Sequence, residues 1–201
     1  MEHYLESVDL RLKYENGALN ITTDALDLVE FIKCNLGDEK GPMLDIGAGI
    51  GTLTFLMYRH ENFTEFHAVE LQKEVFKILE ENVKLNDIDI KLYNIDIKEF
   101  EYTNKFKYII SNPPFYKVNS GFMPKDEILK ISKFEINLNL SDLLDTTYRL
   151  LEDEGYFFLI LPIERDKELR SDKRYVVDNF KEIFRGKKTF VTYLLRKRKN
   201  D

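Results

Sequence analysis

Three features of the 201-residue chain predict an α/β fold whose mostly parallel sheet is covered by helices on both faces. Short apolar runs alternate with helical stretches at close intervals through the middle of the chain, the pattern of successive βα units. A glycine-rich turn, Asp45-Ile46-Gly47-Ala48-Gly49-Ile50-Gly51, leads from one of those runs into a helix. The buried-type run Tyr108-Ile109-Ile110 ends in Asn112-Pro113-Pro114-Phe115, where two prolines stop a strand as it leaves the sheet.

The elements follow in order. Val8 to Tyr14 alternates apolar and polar residues, and Asn16-Gly17 offers a type I′ turn before Ala18-Leu19-Asn20-Ile21, which predicts a small N-terminal hairpin. Thr23 is the expected N-cap of a helix running from Ala25 to Leu36, with Asp24 in its first turn. Met43 to Ile46 and Phe66 to Glu70 read as strands, with a helix to about His60 between them. Val75, Phe76, Leu79, Val83 and Leu85 form the apolar face of a helix over Gln72 to Asn86. Ile90 to Ile95 and Tyr108 to Ile110 supply two more strands. A polar loop and helix follow over Lys117 to Lys133, then a helix from Ser141 that Gly155 is expected to end. Tyr156 to Leu161 is the most hydrophobic strand, and Phe180 to Phe184 with Thr189 to Leu195 close the sheet around Arg185-Gly186-Lys187. That makes seven strands besides the hairpin. No linker divides the chain, so residues 1–201 are expected to form one domain, a hairpin extension (1–22) on a core (23–201).

Hydrophobic residues make up 43% of the chain and aromatic residues 13%, enough for a packed core. No apolar stretch approaches the roughly 20 residues that span a bilayer, so no membrane partner is expected. Residues Met1 to Glu6 lack a basic region and an apolar core, so no signal peptide is expected. Cys34 is the sole cysteine, which excludes an internal disulfide and suits a reducing cytoplasm; its place in a helical pattern reads as a small core residue. His3, His60 and His67 are scattered, so no metal site is expected. Net charge is −6, yet Lys181 to Lys199 holds eight basic residues and one acidic one. That basic end is either a solvated tail or a phosphate-contacting patch.

The glycine turn departs from a dinucleotide fingerprint, because its third glycine comes one position early and an acidic residue precedes the first. Gly47 and Gly49 let the backbone turn tightly and approach a ligand, with Ala48 between them and Gly51 opening the helix. Asp45 would repel a pyrophosphate but can accept from the ammonium of an amino-acid tail. Glu70, with Leu71 after it, ends the second strand nineteen residues beyond Gly51, where a carboxylate can hold both hydroxyls of a ribose. Asp96 ends the third strand; it can receive the amine of an adenine while Ile97 packs against the ring. Alone, Glu70 or Asp96 reads as a solvated strand-end carboxylate. Together, in order, the anchors fit a ligand with an amino-acid tail, a ribose and an adenine: S-adenosylmethionine.

Proline biases the residue before it toward extended geometry, so Asn112 and Pro113 are both held stiffly. Asn-Pro alone reads as an ordinary turn. With a second proline and an aromatic ring it becomes a rigid cluster of acceptors beside a stacking face, which suits a planar amine.

With these motifs the chain resembles class I methyltransferases from about Thr22 to Leu195. The Asn-Pro-Pro-aromatic variant is similar to enzymes that methylate a nitrogen conjugated to a planar system: adenine, guanine or a glutamine amide. Ser111 to Leu140, Leu161-Pro162-Ile163-Glu164-Arg165 and Thr23-Asp24-Ala25 resemble the bacterial tRNA adenine-N6 methyltransferases that modify the nucleotide beside the anticodon. The resemblance implies a Rossmann-like fold and S-adenosylmethionine as cofactor. It implies that the Asn112 side-chain oxygen, also part of the cofactor site, and the Pro113 carbonyl accept hydrogen bonds from the target amine. Pro114 completes that catalytic turn, and Phe115 with Tyr116 would stack the base. The tail after Arg165 is short for that subgroup, which bears on the substrate-contacting region.

Methylation of a cytosine ring carbon needs a cysteine nucleophile, and no proline here precedes a cysteine. DNA adenine methylation is disfavoured because 201 residues leave little room for a duplex-reading domain. Glutamine methylation usually comes with an N-terminal helical domain, and only about forty residues precede the cofactor strand. Guanine-N2 methylation of ribosomal RNA stays open, as does a non-catalytic RNA or protein adaptor. The expected partner is RNA, first of all tRNA.

Overall fold

The computed structural model describes residues 1–14, 21–117 and 125–198. A small antiparallel hairpin, β1 (Glu2–Leu5) and β2 (Leu10–Lys13), precedes α1 (Thr23–Asn35). The core then runs β3 (Gly41–Ile46), α2 (Thr52–Met57), β4 (Phe63–Val69), α3 (Lys73–Asn86), β5 (Lys91–Tyr93) and β6 (Phe106–Ser111). It continues through α4 (Glu127–Lys133), α5 (Leu140–Leu150), β7 (Leu151–Pro162), a 3-10 turn (Ile163–Arg165), α6 (Asp166–Ser171), β8 (Tyr175–Arg185) and β9 (Lys188–Lys197).

The seven-stranded sheet has the order β5-β4-β3-β6-β7-β9-β8, as the sequence predicts in strand number. Neighbours from β5 to β7 are parallel, and β7, β9 and β8 pair antiparallel. Strand residues point alternately to the two faces, and each face has its own core. Met43, Tyr108, Ile110, Phe158 and Ile160 pack with Leu28, Phe31 and Ile32 of α1. Leu44, Ile46, Ile109, Phe157 and Leu159 pack with Leu143 and Leu144 of α5. Burial on both faces explains why these strands read as continuous apolar runs. Strand order reverses between β3 and β6, and the crevice beyond the carboxyl ends at such a switch is where ligands bind in open α/β sheets.

Several expectations are corrected. Leu10–Lys13 pairs with Glu2–Leu5, because two strands already close into a hairpin ahead of residue 15; the Asn16-Gly17 turn and residues 18–20 lie outside the described residues. Two asparagines of α3 then fasten β2 to the core. Asn82 accepts from the Lys13 amide at 2.7 Å and donates to its carbonyl at 3.0 Å, and Asn86 does the same for Arg11. Thr22, not Thr23, caps α1, its hydroxyl accepting from the Ala25 amide at 3.2 Å. Cys34 is exposed rather than in the core, since the buried stripe of α1 runs through Leu28, Phe31 and Ile32. Gly155 does not end a helix. α5 stops at Leu150 and the chain passes directly into β7, where a Cβ at Gly155 would stand 2.7 Å from the Leu151 side chain. β5 covers only Lys91–Tyr93 of the expected Ile90–Ile95 strand.

Candidate active site

The glycine turn caps the carboxyl end of β3 and is fixed by its neighbour strand. The Gly47 and Ala48 amides both donate to the Val69 carbonyl at 3.0 Å, and the Gly49 amide donates to Glu70 Oε2 at 2.9 Å. Gly47 and Gly49 have φ of 72° and 59°, with no atom within 4 Å of where a Cβ would stand. Gly51 differs. At φ 100° a Cβ would lie 2.7 Å from the Phe55 ring and 2.8 Å from Leu79, so this glycine lets α2 seat on α3.

The three carboxylates have distinct settings. Glu70 is buried, its second oxygen accepting from the Gln72 backbone amide at 2.7 Å; burial pushes its carboxyl up, against the pull of those backbone bonds. Asp45 is fully buried. Its Oδ2 accepts from the Thr54 amide at 3.1 Å and from the Thr54 hydroxyl at 2.6 Å, whereas Oδ1 has no partner. Desolvation pushes its carboxyl up to about 7. Asp96 is half-buried beyond β5, accepting from the Lys98 amide at 2.9 Å and facing the Lys98 ammonium at 3.3 Å.

Asn112 follows β6 directly. Ser111 anchors this end of the strand through a 2.8 Å bond to the Ile46 carbonyl. Pro113 and Pro114 sit among Leu138, Leu140, Leu143 and Leu161. The Phe115 ring lies against Phe190 of β9 at 5.5 Å and against Tyr116 at 4.8 Å. Tyr116 pairs with the segment after α4, donating its amide to the Lys133 carbonyl and accepting from the Glu135 amide. Arg165 reaches back from the 3-10 turn to donate to the Phe115 carbonyl at 3.1 Å, and is itself held by Glu135 at 2.7 Å and Glu168 at 2.9 Å.

One cleft of about 230 Å³ collects most of these residues. Gly47, Ala48, Gly49, Glu70, Leu71, Asp96, Ile97, Asn112 and Pro114 line it. Asp45, Gly51, Pro113, Phe115 and Tyr116 do not; they lie behind or beside the wall. Sequence reasoning missed the rest of the lining. Ile95 and Gln72 sit next to predicted anchors, and Leu129, Ile131, Ser132 and Lys133 come from α4, which forms the far wall. The Gln72 side-chain amide donates to Ser132 Oγ at 3.1 Å, joining that wall to the Glu70 side. The apolar residues Ile128, Leu129 and Ile131 within an otherwise polar stretch were the one sequence signal for it.

A family model described as the methyltransferase small domain matches residues 18–133, more than half of the chain. The chain belongs to that family. The matched methyltransferase small domain holds the glycine turn, Glu70, Asp96, Asn112 to Tyr116 and the α4 wall, so the whole cleft is built within it apart from Asn137 and Leu138. Among curated proteins, the chain is 28% identical over 155 residues to a tRNA1(Val) (adenine(37)-N6)-methyltransferase of Dyadobacter fermentans, covering 76% of this chain and 62% of that one. It is 24% identical to a release factor glutamine methyltransferase of Lactococcus lactis, covering 78% and 60%. The chain thus spans somewhat under two thirds of the length of these relatives. A solved T. thermophilus 16S rRNA guanine-N2 methyltransferase, in complex with AdoMet and guanosine, shares the fold at a TM-score of 0.70 and 18% identity, covering 99% of this chain and 50% of that one.

The basic end divides in two on this scaffold. Because β9 runs antiparallel to β7, Phe190 lies beside Pro162 at the cleft end and Leu195 beside Phe157 toward the other. Arg196 stacks on Tyr156 at 3.8 Å, and Lys197 faces Asp153 at 3.3 Å. These cations serve the fold, about 20 Å of strand away from Phe190. Lys199 lies outside the described residues. The turn cations are at the cleft end of the sheet instead: Arg185 is engaged by Asp24 and Asp27 of α1, and Lys188 donates to the Tyr116 hydroxyl at 2.9 Å. Among the described residues there is no His, Cys, Asp and Glu cluster suited to a metal, and no helix long and apolar enough to cross a membrane.

Proposed function

We propose that this chain, acting as a single domain, is an S-adenosylmethionine-dependent N-methyltransferase for an exocyclic amine of RNA, with adenine-N6 of tRNA as substrate. One observation carries the reading: Asn112 and Pro114 open onto the same cleft as Gly47, Gly49, Glu70 and Asp96. The tRNA1(Val) (adenine(37)-N6)-methyltransferases among the curated relatives favour tRNA as the substrate.

The lining suits the cofactor. Gly47 and Gly49 leave open the space their side chains would fill. Each Glu70 oxygen spends one acceptor site on a backbone amide, and a carboxylate has about four, leaving room for two hydroxyls. Ile95, Ile97 and Leu138 provide apolar walls for a purine, and Asp96 a carboxylate at its edge. When bound, that cofactor supplies a methyl group activated on a sulfonium. The protein's part is orientation. Asn112 Oδ1 and the Pro113 carbonyl accept the two N–H bonds of the amine, which keeps its lone pair out of the ring system and aimed into the cleft. Positioning of that kind accounts for much of the acceleration in such transfers.

The test is to incubate the protein with unmodified bulk tRNA and methyl-labelled cofactor, then analyse the nucleosides by mass. Labelled N6-methyladenosine is the expected product. Label in N2-methylguanosine, or in a protein glutamine and no nucleoside, would overturn the assignment.

A further inference from the structure

The tip of the β8–β9 hairpin stands beside the catalytic turn, and nothing in the chemistry above uses it. Three contacts place it there. Phe190, two residues into β9 from Lys188, packs on Phe115 at 5.5 Å. The Lys188 ammonium lies 5.1 Å from the Tyr116 ring centre and bonds its hydroxyl, a contact that holds its pKa above the ordinary lysine range. Arg185, paired with Lys188 across the turn, locks the hairpin to α1 through Asp24 and Asp27, so the tip is braced.

Two side chains on this braced tip project into solvent. Lys187 is exposed at the turn. Phe184 is 74% exposed, the most exposed large apolar side chain among the described residues. Ile183 packs with the same core as Phe190, and side chains alternate along a strand. The Phe184 ring therefore leaves the hairpin on the face opposite Ile183. The tip thus carries an aromatic ring on one side and ammonium groups at its end and on the other. Elsewhere on the hairpin the cations are committed: Lys181 faces Glu30, Arg196 stacks on Tyr156, and Lys197 faces Asp153.

We propose that this tip is the RNA-gripping element, with Lys187 and Lys188 neutralising phosphates beside the target nucleotide and Phe184 stacking a neighbouring base. The inference rests on the RNA reading above and adds where the strand is held. Cations suit the partner's phosphates, and an exposed ring suits any base, since every base has a π-face. Lys188 and Phe190 are continuous with Tyr116 and Phe115, so a strand whose phosphates meet Lys188 passes the Asn112 turn, while Phe184 on the other face of the tip meets the next base along. Taking a base out of a stacked loop leaves neighbours in need of a partner, and the exposed ring at the braced hairpin tip supplies one.

Three variants are compared with the parent: Phe184→Ala, the double Lys187→Gln/Lys188→Gln, and the opposite-end pair Arg196→Gln/Arg198→Gln. Unmodified tRNA is the probe, in binding titrations over a salt series and in KM measurements, with cofactor affinity by calorimetry confirming folded protein. Phe184→Ala is expected to raise KM for tRNA about 5- to 150-fold, the range for one lost base stack. The lysine double variant should flatten the slope of log affinity against log salt by roughly 1.4, two single-strand phosphates. The opposite-end pair should leave both unchanged. If the parent methylates tRNA while the first two variants keep its KM and slope, the tip assignment fails and the function stands. The tip assignment fails in the same way if Phe184→Ala changes only the oligomeric state. If the parent neither binds nor methylates RNA, the functional reading fails first and takes the tip with it.

Discussion

Arg165 donates to the Phe115 carbonyl at 3.1 Å, so a side chain fifty residues downstream holds the peptide that follows the two prolines. Its guanidinium is 5% exposed and lies 2.7 Å from Glu135, itself 8% exposed, whose same oxygen accepts from the Leu140 amide at 3.0 Å. The Asn112-to-Phe115 turn, the chain after α4, the start of α5 and the end of β7 are thereby tied at one point. A planar fork with fixed donor directions suits this task, and a lysine cannot reproduce it.

Arg165 is expected to act as a positioning residue. Arg165→Met leaves Glu135 buried and unpaired and should cost about 3–5 kcal/mol of stability. Arg165→Met combined with Glu135→Leu removes both charges and should recover much of that loss without restoring turnover, because the Phe115 carbonyl is still unheld. Denaturant unfolding read beside kcat separates the two effects. Full turnover in the double variant would show that the pair is structural only.

Asn112 lines the cleft at the end of β6, where its amide can meet a substrate amine. Asn112→Ala should lower kcat about 100-fold or more, the scale of a misplaced reacting group, while cofactor affinity changes far less. Phe115→Leu should chiefly raise the substrate KM, and Phe115→Tyr should be tolerated. Steady-state kinetics on tRNA with calorimetry on the cofactor decides this. Wild-type turnover in Asn112→Ala would remove the residue from the chemistry.

Much of this site is legible in the sequence because its anchors are local. Gly47, Gly49, Glu70, Asp96 and Asn112 each follow a strand end within three residues, and strand ends follow from apolar runs. What stays hidden depends on tertiary approach. α4 becomes a wall of the cleft only through its pairing with Tyr116 and the Gln72–Ser132 bond. Asp45 resembles a ligand contact from its place before the glycines, yet its carboxyl turns to Thr54. The basic end reads as one segment because sequence distance does not reveal that β9 carries its two halves to opposite ends of the sheet. The pairing of β2 is hidden because the Asn16-Gly17 signal outweighs a weaker turn before it.

The glycines separate fold from binding. Gly51→Ala would force a methyl group against Phe55 and Leu79, both fully buried, at a φ of 100°. Overpacking of about 1–3 kcal/mol and backbone strain of about 1–2 kcal/mol predict a marked loss of stability. Gly49→Ala meets open space, so only the strain applies, but its methyl enters the room a ligand needs. Unfolding curves should therefore rank Gly51→Ala as the less stable, and cofactor calorimetry should rank Gly49→Ala as the weaker binder per unit of stability lost. Normal cofactor affinity in Gly49→Ala would place the ligand elsewhere.

Asp45 gives the folded protein a pH signature. Burial pushes its carboxyl up to about 7, and an unfolded chain releases that proton near 4. Between those values the folded protein holds a proton that the unfolded chain has lost, so this group's contribution is fully present below about pH 4. It declines toward pH 7 by about 1.4 kcal/mol per pH unit. Above that, both states are ionised and the contribution is level. Glu39, Glu65, Glu168 and Asp172 are held low by neighbouring cations, so their stabilisation is present above the ordinary carboxylate range and lost in acid. The comparison must therefore be with a variant rather than with an absolute curve. Asp45→Asn stays neutral at every pH and keeps an oxygen for the Thr54 hydroxyl. Urea unfolding of both proteins between pH 4.5 and 8 should show the variant gaining on the parent as pH rises to about 7, then a constant difference. Parallel curves throughout that range would show that Asp45 ionises in the folded protein as it does in the unfolded chain.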